Sequence, residues 1–299
     1  MKITSNRVSK NYKIKKGIFK TYDIKVIEDF NYEINQGDII GIIGVEGSGK
    51  STLVNLLSAR IKPDEGEILV DGEINYKKLK ENCEIISSFK DRKLIGNDSV
   101  YNNLVCCGNK YKIDSLSIEK NISVFKDVFE LDKSINKKVN ELDELELIKV
   151  NLVISMLKNI PVLFFDSALS NLNVIEKNIV LRMLKRLNKE YKTTIVVSGD
   201  NLIDIEKICK KITIINKGKI VKNGLFDDLK KELFNKEIRI IFNKSFMIPK
   251  GDFEIIECSD YFLRIRIDFE KCDFACLINQ FDINTIVDIN IYNVPVSEL

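Results

Sequence analysis

A glycine-rich stretch at residues 44–51, GVEGSGKS, carries the residue types that bind phosphate. It matches the P-loop pattern G-x-x-x-x-G-K-[ST]. Its glycines let the backbone turn amides toward phosphate oxygens that side chains would obstruct, and the N-terminus of the next helix favours anions. Lys50 would then reach the β- and γ-phosphates, and the Ser51 hydroxyl would ligate Mg²⁺. The predicted contacts in this loop are Gly44, Gly47, Ser48, Gly49, Lys50, Ser51 and Thr52.

The segments around this loop have the order that phosphate binding requires. A strand-like run, DIIGIIG, precedes it, and an apolar-periodic helix containing Leu53, Leu56 and Leu57 follows. The alternative is a relic loop that binds nothing, and the pattern arises by chance in about one chain of this length in a hundred. The strand–loop–helix setting weakens the chance interpretation, so we predict nucleotide binding.

A second stretch at residues 163–173, LFFDSALSNLN, resembles a strand that delivers Asp166 to a nucleotide site. The apolar run before it, VLFF, is typical of a strand buried inside a parallel sheet. A carboxylate next to Asp166 would prepare water for attack on a phosphate. The residue there is Ser167, which raises the question of whether the chain hydrolyses ATP or only holds it.

Composition excludes several classes of function. The chain has no histidine, so imidazole general-base chemistry is impossible, and a formal charge of +3 is too small to indicate a nucleic-acid partner. No run of about 18 apolar residues exists, and the N-terminus lacks an apolar signal core, so we expect a cytoplasmic chain. Its seven cysteines show no framework spacing and are predicted to be reduced and mostly buried.

Strand-like and helix-like segments alternate along the chain, which predicts an α/β fold with a largely parallel sheet. Residues 98–160 are mostly helical in pattern, and Ile175, Ile179, Met183 and Leu187 mark one face of a later helix. From about residue 236 the pattern changes to short strands with one helix, which indicates a small α+β appendage. The charge run at residues 9–25 is interpreted as a solvated loop.

Residues 1–235 resemble the ATP-binding subunit of an ABC transporter. The resemblance rests on the order of several stretches, including the P-loop run from residue 30 to 73, KNIPVLFFDSALSNLN, and the closing TTIVVSGDNLIDIEKICKKITIINKGKIVKNG. VSKNYKI resembles the segment whose aromatic residue stacks on adenine, which makes Tyr12 the candidate. Within the superfamily, the helical-region spacing and the appendage look most like the drug- and antibiotic-export branch.

The resemblance implies a P-loop NTPase fold of the ABC type, with a mixed sheet core and a helical subdomain at about residues 95–160. The domain would span residues 1–235, and the appendage residues 236–299. It also implies ATP and Mg²⁺ as cofactors, with Ser51 and Asp166 as the metal contacts, the latter through water. The partners implied are a second nucleotide-binding domain, identical or different, and a membrane permease that holds the chain at the inner face of the membrane.

Several positions depart from the family pattern at the γ-phosphate. Ser167 replaces the catalytic glutamate, Gly199 replaces a histidine, and Lys90 stands where a glutamine is usual, with Asp91 as a register-shifted substitute. Asn173 replaces the aspartate of the family's Leu-Asp pair. No catalytic residue is therefore assigned with the family's usual chemistry.

The family's signature sequence, LSGGQ or similar, is replaced by LDELEL at residues 142–147. Asp143 would cap the following helix, and Glu144 and Glu146 also favour its N-terminus, so the helix should form. A carboxylate about 4 Å from a phosphate charge is nevertheless repulsive by roughly 4 kcal/mol at an effective dielectric near 20. Selective loss of hydrolysis accounts for these substitutions better than independent drift does.

Three hypotheses follow from the sequence. The first is an ATP-binding subunit of an ABC exporter that binds Mg-ATP and hydrolyses it slowly or not at all. The second is a working transport ATPase in which Asp91, Asp200 or Glu144 orients water. The third is a regulatory or interaction protein that responds to ATP and uses the fold as a scaffold.

Overall fold

The computed structural model describes residues 1–16, 20–87, 94–233, 236–267 and 274–293. Lys90 and Asp91 therefore lie outside the described residues. Contacts divide the chain into two compact units, Met1–Asn223 and Gly224–Leu299. The boundary expected between residues 235 and 236 stays a prediction. Among the described residues, no helix combines the length and apolar character needed to cross a membrane.

A six-stranded sheet forms the centre of the first unit, in the order β5-β6-β7-β3-β8-β9. The strands from β5 to β8 in this order run parallel to their neighbours, as predicted. Their side chains are almost all buried, which explains the unbroken apolar runs in the sequence. The strands are β3 Ile39–Ile43, β5 Cys83–Ser87, β6 Val162–Asp166, β7 Thr194–Gly199, β8 Lys211–Asn216 and β9 Lys219–Leu225.

A three-stranded antiparallel sheet in the order β2-β1-β4 completes the strands of this unit. Its members are β1 Ile3–Lys16, β2 Lys20–Ile34 and β4 Glu65–Val70. The interpretation of residues 9–25 as a solvated loop is wrong, because most of them pair in the β1–β2 hairpin, with Tyr12 opposite Ile24. Charged side chains are compatible with an exposed ribbon whose backbone groups are paired across the strands.

The described residues of the first unit form these α-helices: α1 Lys50–Leu57, α2 Tyr76–Glu81, α3 Val100–Lys110, α4 Ser115–Val128, α5 Glu144–Leu157, α6 Val174–Tyr191 and α7 Leu202–Glu206. The segment between residues 98 and 160 is helical as its pattern indicated, and Ser99, Asp114 and Asp143 cap its three α-helices. Helix α5 is buried nearly all round, as expected of a helix that is apolar on every face.

The predicted apolar face of α6 is partly wrong. Met183 and Leu187 are buried, but Ile175 is 73% exposed. The buried stripe continues instead through Val180, Leu181 and Leu184. Because Ile175 lies in the first turn of the helix, it precedes the part of α6 that packs on the sheet.

The second unit contains α8 Phe226–Leu233, β10 Lys236–Phe242, β11 Phe253–Ser259, β12 Phe262–Ile267, α9 Phe274–Ile278 and β13 Ile286–Asn293. Its strands form an antiparallel sheet in the order β11-β12-β10-β13. One face packs its isoleucines against Leu277 and Phe281. On β10 the fully buried Glu237 accepts hydrogen bonds from Arg264 and Arg266, so the charge is compensated.

The expectation that most cysteines are buried is wrong for the described residues. Cys83 and Cys209 are buried, and burial raises the pKa of both thiols. Cys106, Cys258 and Cys276 are exposed, whereas Cys107 is half-buried. All six are free thiols, and Cys272 lies outside the described residues. A cysteine contributes little apolar area, so its side chain does not dictate which face of an element is buried.

Candidate nucleotide site

The glycine-rich loop connects the end of β3 to the start of α1. Gly49 caps α1 with φ of 106°, a left-handed conformation that glycine adopts without strain. A Cβ at Gly49 would lie 2.9 Å from the carbonyl oxygen of Val26 in β2. At Gly44 a Cβ would overlap the carbonyl oxygen of Ile215 and the Ser48 hydroxyl. The two positions therefore require glycine for different reasons, one conformational and one steric.

Lys50 folds back over this loop. Its ammonium group donates hydrogen bonds of 2.6 Å to the carbonyl of Gly44 and 2.9 Å to the carbonyl of Val45. Burial lowers the pKa of Lys50 below its ordinary value, and neighbouring carboxylates oppose that shift. In order of effect, these carboxylates belong to Asp200, Asp166 and Glu46. The cation therefore lies where an anion bound in the loop would meet it.

The metal-binding candidates, Ser51 and Asp166, are brought together. Ser51 Oγ donates a hydrogen bond of 3.1 Å to Asp166 Oδ1. Strand β7 lies between β6 and β3, so the carboxyl ends of these three parallel strands meet at one edge of the sheet. Ser198, at the end of β7, donates to the same Asp166 oxygen at 2.8 Å. Sequence reasoning missed Ser198, and its position directly before Gly199 was the only signal available.

A cleft of about 310 Å³ opens beside these residues. Ser167 and Gly199, two of the positions predicted to depart from the resembled pattern, both line it, together with Lys50, Asp200 and Glu46. Ser167 has φ of 54°, and its hydroxyl makes no hydrogen bond to the described residues. Asp200 is exposed at the rim of the cleft. Asp200 therefore supplies a carboxylate that could orient water in this cleft, whereas the residue after Asp166 is Ser167, which has none.

The residues of this loop suit a magnesium nucleotide. The Ser48 hydroxyl is buried and has no hydrogen-bond partner among the described residues. The space next to this hydroxyl is open because residue 44 is glycine, and a Cβ there would fill it. Ser51 and Asp166 offer oxygen ligands, which Mg²⁺ prefers. No group of three or more acidic or cysteine side chains that could hold a metal occurs among the described residues. A cation with few protein ligands is typical of Mg²⁺ shared with phosphate oxygens.

Tyr12, the candidate for adenine stacking, lies on β1 and is 39% exposed. Its cross-strand partner is Ile24, two positions before Val26, whose backbone lies against Gly49. The hairpin that carries Tyr12 therefore approaches the glycine-rich loop through β2. Lys10 places its ammonium 6.0 Å from the Tyr12 ring. The stacking role of Tyr12 stays a prediction.

At the signature position, LDELEL begins helix α5 with a complete capping box. Asp143 Oδ1 accepts from the Glu146 amide at 2.8 Å, and Glu146 Oε2 accepts from the Asp143 amide at 3.2 Å. The other Glu146 oxygen accepts from Ser134 Oγ at 2.5 Å and from Lys137 Nζ at 2.7 Å. Two amides at this helix end are therefore already paired with the chain's own carboxylates.

Glu144 occupies the first position of α5. Burial raises its pKa, against a hydrogen bond of 3.4 Å from the Asn171 amide group, and the charge of Glu176 adds to the increase. Asn173, the other substituted position, caps α6 by accepting from the amides of Ile175 and Glu176. Asp143 and Asn173 are thus built into helix caps, where carboxylate and amide oxygens stabilise the first turn.

Residues 27–170 match the sequence profile of the family described as ABC transporter. Over 204 residues the chain is 33% identical to the methionine import ATP-binding protein MetN of Francisella tularensis subsp. holarctica. It is also 28% identical over 207 residues to the ABC transporter ATP-binding protein MJ1023 of Methanocaldococcus jannaschii. The alignments cover 67% of this chain and 58% of MetN, and 69% of this chain and 74% of MJ1023.

Solved structures share the fold. CbiO1 from Clostridium perfringens, part of the ABC transporter complex CbiONQ, superposes with a TM-score of 0.68 at 21% identity, over 77% of this chain and 91% of that chain. A dimeric, post-hydrolysis ATP-binding cassette, MJ0796 with ADP and Pi, gives 0.64 at 23% identity, over 75% and 98%. The predicted P-loop NTPase fold of the ABC type is confirmed. The MetN relatives are named as importers, so the expected drug- and antibiotic-export branch is not supported.

Proposed function

Because residues 27–170 carry the ATP-binding domain of the ABC transporter family, we propose that the chain is a transporter subunit that binds Mg-ATP but hydrolyses it slowly or not at all. The observation that carries this proposal is the contrast between the glycine-rich loop with its metal-binding candidates and the cleft that adjoins them. The glycine-rich loop, Lys50, Ser51 and Asp166 are assembled for binding. Ser167 and Gly199, beside them, offer neither a carboxylate nor an imidazole.

The cost of these substitutions is large enough to decide the outcome. Removing a general base lowers a rate by roughly 10² to 10⁴. Ser167 and Gly199, which would face the γ-phosphate, both lack the group that the resemblance leads us to expect. The start of α5, capped by its own carboxylates, is a third such difference. None of these changes lies in the glycine-rich loop or at Lys50, so nucleotide binding by the single chain and turnover separate.

Assembly follows from the same proposal. We place the chain at the inner face of the membrane, held by a permease and paired with a second nucleotide-binding domain. In a pair of identical chains, both sites would combine the P-loop with LDELEL and lack a carboxylate after Asp166. A different, competent partner would still face the carboxylates of α5 at its own site. We draw no direction of transport and no substrate from this chain, because the permease determines both.

A fluorescent ATP analogue and the purified chain test the proposal. We expect binding with a dissociation constant in the micromolar to millimolar range, abolished by Lys50→Ala and retained by Lys185→Ala, an exposed lysine on α6. Steady-state phosphate release should stay near background, alone and with a co-expressed permease. Binding that ignores Lys50→Ala, or turnover equal to that of ordinary transport ATPases, would contradict the proposal.

One observation favours a working ATPase as the second candidate. Asp200 is exposed in the cleft that Ser167 lines, and of the three carboxylates acting on the pKa of Lys50 it has the largest effect. In that candidate, Asp200 orients the attacking water in the assembled transporter. Turnover by the complex with its permease, abolished by Asp200→Ala, would support it. A rate unchanged by Asp200→Ala would remove Asp200 as the base.

A further inference from the structure

Ser198 contacts both Asp166, the last residue of β6, and Ser167, which follows it. Ser198 lies in β7 and is 1% exposed. Its hydroxyl donates 2.8 Å to Asp166 Oδ1 and accepts 3.1 Å from the Ser167 amide. The same Ser167 amide also lies 3.2 Å from the Ser198 carbonyl oxygen. One buried serine thus contacts both the carboxylate of Asp166 and the peptide that follows it.

The hydrogen bonds of Asp166 show why this contact matters. Within the described part of the chain, its carboxylate accepts only from the hydroxyls of Ser51 and Ser198, and both donate to Oδ1. The Ser51 hydroxyl is itself a candidate magnesium ligand. Ser198 belongs to the wall of the cleft but is buried, so a donor lost there is poorly replaced by water. Outer groups of this kind fix the orientation of a metal-binding carboxylate.

The backbone of Ser167 depends on the same residue. Ser167 has φ of 54°, a conformation that non-glycine residues adopt only when surrounding contacts hold them there. Its amide bonds to Ser198, and its carbonyl accepts 2.6 Å from the Ser170 hydroxyl. The left-handed backbone conformation of Ser167 is therefore held at both its amide and its carbonyl.

We propose that Ser198 is a positioning residue that orients the Asp166 carboxylate and the Ser167 peptide for the magnesium form of the nucleotide. The inference rests on the proposed nucleotide binding. It assigns to Ser198 no contact with the nucleotide. Ser198 acts through Asp166. A change at Ser198 therefore alters the binding that requires Mg²⁺, whereas metal-free binding depends on the glycine-rich loop and Lys50.

Titrations of a fluorescent ATP analogue, with Mg²⁺ and with excess EDTA, test this role in the full chain. For Ser198→Ala we expect affinity for the magnesium form to fall about tenfold. Metal-free affinity should stay within a factor of about two, because Lys50 is untouched. Ser198→Thr keeps the hydroxyl and suits a strand, and it should restore most of the magnesium-dependent affinity.

Ser155→Ala is the matched control. Ser155 is fully buried in α5, and its hydroxyl donates 2.8 Å to the Asn151 carbonyl, so the variant loses a buried serine away from the cleft. Equal affinities of wild type and Ser198→Ala for the magnesium form would overturn the role of Ser198 alone. So would an equal loss in Ser198→Thr and Ser198→Ala, or an equal loss with and without Mg²⁺. Absence of binding by the wild type would contradict the proposed function as well.

Discussion

Ser51 Oγ and Asp166 Oδ1 lie 3.1 Å apart, although 115 residues separate them in the sequence. The parallel sheet brings these two side chains together, because β3 and β6 flank β7 and have their carboxyl ends at the same edge. The fold therefore holds both side chains side by side. A preformed pair of oxygen ligands lowers the ordering cost of binding the magnesium form.

Ser51→Ala should weaken binding of the magnesium form about tenfold, because it removes a hydroxyl ligand together with a donor to Asp166. Affinity without the metal should change little, since the loop amides and Lys50 remain. Titration with Mg²⁺ and with EDTA measures the difference. Ser58→Ala, at the residue that follows the same helix, is the control, because its buried hydroxyl donates to the helix carbonyls of Val54 and Asn55. An equal loss in both titrations would show that Ser51 serves the loop and not the metal.

Asp200→Asn should strengthen metal-free ATP binding by up to about fivefold, because it removes a carboxylate that faces the same cleft as the phosphates. The gain should shrink at high ionic strength, since Asp200 is exposed and its field is screened. Binding at two salt concentrations checks this, with Asp228→Asn on α8 as a control for net charge. A loss of affinity in Asp200→Asn would contradict the electrostatic account.

Asp143→Ala should lower the free energy of unfolding by about 1 kcal/mol, because α5 loses its N-cap. Asp143→Ser should lower the free energy of unfolding by only a few tenths of about 1 kcal/mol, since serine caps a helix as well as aspartate does. The serine variant also removes one negative charge from the helix end. Urea unfolding measures both effects. Equal destabilisation by serine and alanine would show that the Asp143 charge, and not its capping oxygen, stabilises the helix.

Lys158→Met should lower the free energy of unfolding by about 2 kcal/mol at pH 7, because it removes a cation that is paired with the buried Glu84 carboxylate. Lys158 lies 3.1 Å from Glu84, whereas Arg60 lies 4.0 Å away. Burial alone would lower the pKa of Lys158, but Glu84 and Tyr111 outweigh it and raise the pKa above 10.5. The contribution is therefore present below pH 10.5 and lost as pH rises through the folded value.

Denaturant unfolding of wild type and Lys158→Met at several pH values checks both the size and the direction of this effect. The difference between them should be constant near neutrality and shrink above pH 10.5. Lys185→Met, at an exposed position of α6, should change stability by less than about 0.5 kcal/mol. A difference that grew with rising pH would contradict the raised pKa of Lys158.

Local patterns were sufficient for much of the fold. The glycine-rich loop was predictable because its conformation depends on adjacent residues, and the helices α3 to α5 because their caps and apolar periods lie within one segment. The β1–β2 hairpin was missed, since its stability comes from cross-strand pairs that a charge run does not reveal. Exposed Ile175 was missed because a helix period does not tell where the contact with a sheet begins.

The sequence by itself determined which groups are available: a loop that binds phosphate, a carboxylate after a buried strand, and no histidine or carboxylate at the next position. Those are properties of residue type and short-range order. Only the tertiary structure decided which of these groups meet. Ser198 reaches Asp166 across 32 residues because parallel pairing aligns β6 with β7, and spacing along the chain carries no record of that pairing.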